Sequence, residues 1–149
     1  MFQKILVGLE GSEASWCAFR RGLVLSREYG AELWALSVEE HLPRFAATID
    51  EVQDEQEFEN SYFARVQGEA LELAEEQGVR LQCRTVAGHA ARRIVELAES
   101  GRFDLIVVGH RGHNEPWHRL AGSTADRVVD QAPCSVLVEH LPAIPPRQA

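Results

Sequence analysis

The sequence predicts an α/β fold: an open, five-stranded parallel sheet with helices on both faces, of Rossmann-like type. Three observations carry this. Five short apolar runs recur along 149 residues, each of the first four is followed by a segment with helical periodicity, and glycine or proline punctuates the joins. Parallel strands need crossovers of a dozen or more residues, and strict alternation of strand and helix supplies them.

The first run, KILVGL at positions 4 to 9, ends in EGSE, where Gly11 permits a turn and Ser12 can cap a helix. Ala14, Ala18, Gly22 and Leu25 then mark one helical face, whose small residues suit close packing on a sheet, and Gly30 closes the helix. ELWALSV at 32 to 38 is the second strand. The longest irregular stretch follows around HLPRFAAT, then a helix in which Tyr62, Phe63, Val66, Ala70, Leu73 and Ala74 keep the 3.6-residue period until Gly78. VRLQCRTV at 79 to 86 alternates as a strand should and Gly88 breaks it. Ala91, Ile94, Val95 and Ala98 make the next helical face, ended by Gly101. FDLIVVG at 103 to 109 is apolar throughout Leu105 to Val108, as a strand covered on both faces would be. A last helix starts near Ser123, uses Ala125, Val128, Val129 and Ala132, and stops at Pro133. CSVLVEH at 134 to 140 is the fifth strand, so that residues 1–141 form one domain and 142–149 a proline-rich tail.

Composition excludes several classes. The net charge of −8 opposes non-specific attraction to nucleic acid or anionic lipid. No apolar run approaches the roughly 20 residues that cross a bilayer, and the N-terminal run is too short for a signal peptide, which predicts a soluble cytoplasmic protein without membrane insertion. Cys17, Cys83 and Cys134 are odd in number and have no CxxC partner. Small core residues are expected there rather than disulfides or metal ligands. The acids concentrated at 39 to 59 read as a solvated helix face with its leading loop. Trp16, Trp34, Phe58, Tyr62 and Phe63 read as core or helix packing.

In open sheets of this kind, ligands bind beyond the carboxyl ends of the strands, where strand order reverses. The richest loop there is GHRGHNEPWHRLAGSTAD, residues 109 to 126. Gly109 and Gly112 allow a tight turn off the strand. Gly122, Ser123 and Thr124 lie where a helix begins, with unpaired N–H groups and the positive end of the helix dipole. A phosphate could sit there without a lysine. A helix merely capped by Ser123 after a glycine loop explains the same residues equally well. Neither GxxxxGK[ST] nor a GxGxxG opening a helix after the first strand is present. His110, His113 and His118 fit no zinc spacing and read as solvent-facing loop residues. No serine lies in a GxSxG elbow, and no residue is identifiable for positioning an attacking water or ligating a metal, so no catalytic or metal site is assigned.

Gly109, Gly112, Gly122 and Ser123 reproduce the spacing GxxG(x9)G[ST], and around it stand ILVGLEGSEAS, ELAESGRFDLIVVG and VVDQAPCSVLVEH. In these features the chain resembles the nucleotide-binding branch of the universal stress protein family over nearly its whole length except residues 40 to 60. The resemblance implies an adenine nucleotide alpha hydrolase-like domain that binds ATP or AMP, with Mg²⁺ carried by the phosphates. It implies a homodimer paired through the last strand, at Ser135, Val136, Leu137 and Val138. By the same resemblance the phosphates lie against Gly109, Gly112, Gly122, Ser123, Thr124 and Ala125, and adenosine between Leu9, Glu10, Val38 and Val108. Arg111 and Arg119 have two uses, neutralising distal phosphates or pairing with surface acids; the first is preferred for Arg111 and the second for Arg119. Three departures stand out. Glu10 replaces the family's usual aspartate, Gly8 stands where proline is common and would give the turn freedom to recede, and Ala125 offers only an N–H where a hydroxyl is frequent. The function expected is a nucleotide-dependent regulatory module in stress response, with an unidentified protein partner. Two other readings stay open: a slow ATP hydrolase, and an interaction protein that binds no nucleotide.

Overall fold

A computed structural model describes residues 1–40, 49–110 and 124–141. Five strands, β1 (Lys4–Gly8), β2 (Glu32–Glu39), β3 (Leu81–Ala87), β4 (Leu105–His110) and β5 (Ser135–His140), form one all-parallel sheet in the order β3-β2-β1-β4-β5. Four helices are described: α1 (Glu13–Tyr29), α2 (Ile49–Glu76), α3 (Ala90–Ser100) and α4 (Thr124–Gln131). The order reverses between β1 and β4, so their C-terminal ends open a crevice.

Alternation along the strands builds two cores. Ile5, Val7, Leu33, Ala35 and Val107 face α1 and α2, where they meet Ala18, Phe19, Leu23, Val66 and Ala70. Leu6, Leu36, Val38, Ile106 and Val108 face α3 and α4, where they meet Ala91, Ile94, Ala98, Ala125 and Val128. Successive residues of β1 and β4 therefore bury on opposite faces, which is why both runs read as almost unbroken apolar segments.

Local chemistry sets the element ends. Ser12 is the N-cap of α1 and its Oγ accepts the Ser15 N–H at 3.2 Å. Gly30 closes α1 in the left-handed conformation at φ 64°, donating its N–H to Ser26 O. β3 begins at Leu81 rather than 79, because the Val79 N–H is taken by Ala74 O at the end of α2. β4 extends through Gly109 and His110, which pair with Glu139 and His140. Gly109 is thus a strand residue, not part of a turn, and His110 is not a loop residue: its ring lies 4.9 Å from that of His140.

Side-chain placement corrects four further expectations. Phe58 is 71% exposed on the first half of α2, and Val129 is 54% exposed on α4, so neither is core. Cys17, Cys83 and Cys134 are free and half-buried, at the margins of the cores rather than inside them. Burial pushes the Cys83 thiol up to about 11. The glycine in β1, Gly8, contributes space rather than a mobile turn: a Cβ there would lie 3.1 Å from Ile94 Cδ1 and 3.5 Å from Val108 Cγ1.

Candidate functional site

A cavity of about 450 Å³ opens at the switch point, within the range typical of small-molecule sites. Its floor is apolar, from Leu9 after β1, Leu36 and Val38 on β2, Val108 on β4 and Ile94 on α3. Polar residues ring it: Glu10, Glu40 and Glu59, and Ser12, Ser15, Tyr62 and Thr124. Among the described lining residues there is no lysine or arginine.

The β1–α1 turn forms one wall and is held by a chain of hydrogen bonds. The Leu9 N–H donates to Leu36 O at 2.9 Å, and the buried Ser37 Oγ donates to Leu9 O at 2.7 Å. Ser12 Oγ donates to Glu10 Oε1 at 2.8 Å while accepting from Ser15 N. Ser15 Oγ donates to Ser12 O at 2.9 Å and accepts from Gly11 N at 3.1 Å. Glu10 is exposed and joined to the capping network. Glu40 sits across the cavity, where its Oε1 accepts the Ala90 N–H at 2.9 Å and satisfies a donor of the first turn of α3. His89, the N-cap of α3, makes no side-chain capping bond, so Glu40 takes that role from a distant position in the chain.

Six of the residues expected at a ligand, Leu9, Glu10, Val38, Val108, Gly109 and Thr124, line this one cavity. Ala125 does not line it. The residue is 2% exposed, in the core beneath α4, which explains a small apolar side chain there. Arg111, Gly112, Gly122 and Ser123 lie outside the described residues, as do His113, His118 and Arg119. At Gly109 a Cβ would run into the carbonyl group of Ala14, so the start of α1 can approach β4 only over a glycine. This packing demand stands beside any demand from a ligand.

Glu40, Glu59 and Tyr62 line the cavity without being among the ligand residues that the family resemblance implies. Tyr62 and Phe63 pack on the core as expected and also line the cavity, together with Glu59 one turn earlier. The signal was present: Glu59 and Tyr62 extend toward the N-terminus the same helical stripe that Phe63, Val66, Ala70 and Ala74 bury. That extension carries them past the edge of the core to the carboxyl ends of the strands.

These features define a doubly wound α/β domain with a ligand-sized cavity at its switch point. The chain belongs to the universal stress protein family, whose family model matches residues 1–140. A universal stress protein of Methanocaldococcus jannaschii is 32% identical over 146 residues, covering 95% of this chain and 84% of that protein. Among solved structures, the universal stress protein UspA from Lactobacillus plantarum has a TM-score of 0.74 at 27% identity, covering 93% of this chain and 97% of that one. A universal stress protein in complex with cAMP has a TM-score of 0.71 at 26% identity, with the same coverage of 93% and 97%. At 18% identity, an Arabidopsis thaliana family protein with AMP bound shares the fold with a TM-score of 0.68, covering 95% of this chain and 93% of that one. Among the described residues no helix is long and apolar enough to cross a membrane.

Proposed function

We propose that this chain is a regulatory module of the nucleotide-binding branch, holding ATP or AMP in the switch-point cavity and changing a partner surface with occupancy. The observation that carries this reading is the convergence of Leu9, Glu10, Val38, Val108, Gly109 and Thr124, from four separate stretches of sequence, on one cavity of nucleotide size. The cAMP complex of a 26% identical relative supports an adenine nucleotide as the ligand class. The apolar floor suits a nucleobase. The phosphates are assigned to the other end, against Gly109, Gly112, Gly122, Ser123, Thr124 and the Ala125 N–H, with Arg111 at the distal phosphates. Because Glu10, Glu40 and Glu59 line the cavity, Mg²⁺ on the phosphates would offset repulsion of a polyphosphate. The module is assigned to the cytoplasm, residues 1–141 act as its one domain, and two copies pair through β5.

A second reading draws on the Glu10 carboxylate, whose Oε1 is engaged by the Ser12 hydroxyl. An acid used to brace the helix start leaves an interaction protein that needs no nucleotide. Release of bound small molecules from the purified protein, mass spectrometry, and calorimetric titration of ATP, ADP and AMP with and without Mg²⁺ separate the two. The nucleotide reading expects one site per chain; no released nucleotide and no heat of binding reject it. ADP accumulating with time would assign a slow hydrolase instead.

A further inference from the structure

Besides Ser15 on α1, two side chains from other elements fix the backbone of the β1–α1 turn. Ser37, on β2, holds the Leu9 carbonyl from within the sheet. Tyr62, on α2, holds the next one: its Oη donates to Glu10 O at 2.9 Å. Gly11 then adopts φ 97°, and any Cβ on it would collide with the Tyr62 hydroxyl and approach Val66 Cγ2 to 3.0 Å. The ring is braced in turn, edge-on to Phe63 with centroids 5.2 Å apart and under the Arg65 guanidinium at 5.9 Å. Tyr62 is therefore both a lining group of the cavity and a strut between α2 and the turn that bears Glu10.

We propose that Tyr62 is a positioning residue for the nucleoside end of the ligand, acting through the Glu10 carbonyl and the Gly11 backbone. The proposal rests on the nucleotide reading above. A turn already held by protein groups need not be ordered when a ligand binds, and preorganisation of that kind raises affinity without a new ligand contact. Tyr62 braces the turn after β1, whereas the phosphates are assigned to the loop after β4 and the start of α4. The benefit from the Tyr62 hydroxyl thus belongs to the part of the ligand common to AMP, ADP and ATP.

Tyr62→Phe removes the hydroxyl and keeps the ring, so packing on Phe63 and Val66 survives. Calorimetry with AMP, ADP and ATP is expected to show affinity falling about tenfold, by the same factor for all three, as fits loss of one hydrogen bond. Amide exchange at Gly11 and Ser12 is expected to accelerate while that of the β1 and β4 core amides stays as in the wild type. Unchanged affinity, unchanged exchange at the turn, or a loss that grows with the number of phosphates would each overturn the proposal while leaving the nucleotide site standing. A wild-type protein that binds none of the three nucleotides overturns the nucleotide reading itself, and this role of Tyr62 with it.

Discussion

Gly109 illustrates how one residue answers to two constraints. It belongs to the glycine spacing that suggests a phosphate cradle, yet it also lies in β4 where the first turn of α1 crosses closest. A methyl at this position meets backbone, the Ala14 carbonyl, which cannot rotate away as a side chain would. Gly109→Ala is therefore expected to destabilise the fold by about 1 to 3 kcal/mol, the usual cost of overpacking, with or without ligand. Thermal unfolding of the unliganded protein checks this, and an unchanged midpoint would show that α1 moves aside at no cost. A consequence follows for binding studies. Lost affinity in a Gly109 variant would report a shifted cavity wall as much as a lost phosphate contact. Glu10 shows the same doubling, since the carboxylate placed by family resemblance beside adenosine also accepts the Ser12 hydroxyl.

At the scale of elements, α1 carries the heaviest local demands. Its N-cap, Ser12, accepts from Ser15 and donates to Glu10, so a single hydroxyl links helix start and cavity wall. Ser12→Ala is expected to cost about 1 kcal/mol in stability, as typical caps do. Urea unfolding measures it, and a change below a few tenths would mean that Ser15 or water replaces the cap. The elements differ in how plainly sequence announces them. β1, β4 and the buried face of α1 were legible because each position there has one environment: Val7 and Val107 are covered, Ala18 faces the sheet, and Gly30 must turn. The first half of α2 was not. Asp50, Glu51, Val52, Asp54 and Glu57 are all exposed, and the half-buried positions of that part, Glu55 and Glu59, carry acids rather than apolar side chains, so apolar spacing marks the helix only from Tyr62 onward. Tyr62 falls at that boundary, where one side chain both packs on the core and lines the cavity, and apolar spacing shows only the first of these.

For the whole molecule, sheet order decides which surfaces remain to be used. The order β3-β2-β1-β4-β5 buries the central strands and leaves β3 and β5 as edges, with no further strand paired to either among the described residues. The two edges are not equivalent. β3 alternates exposed polar residues, Gln82, Arg84 and Thr85, among its others, and the Arg84 guanidinium lies 5.5 Å from the Trp34 ring. Charge and polar alternation of that kind discourage pairing with a second chain. β5 presents a half-buried apolar centre in Val136, Leu137 and Val138, packed from either side by the two cores. Its one acidic residue, Glu139, is engaged by Arg21 from α1 at 3.0 Å and so is drawn back toward its own subunit. On the proposed dimer, β5 is therefore the edge expected to meet the second copy. Sedimentation at micromolar concentration is expected to return a dimer mass. Val138→Lys should shift that mass toward the monomer with the far-ultraviolet circular dichroism unchanged, because a charge at the seam is costly to bury whereas on a free edge it can reach solvent. A wild-type protein that sediments as a monomer at these concentrations would show that the edge is protected within one chain, and the pairing would have to be abandoned.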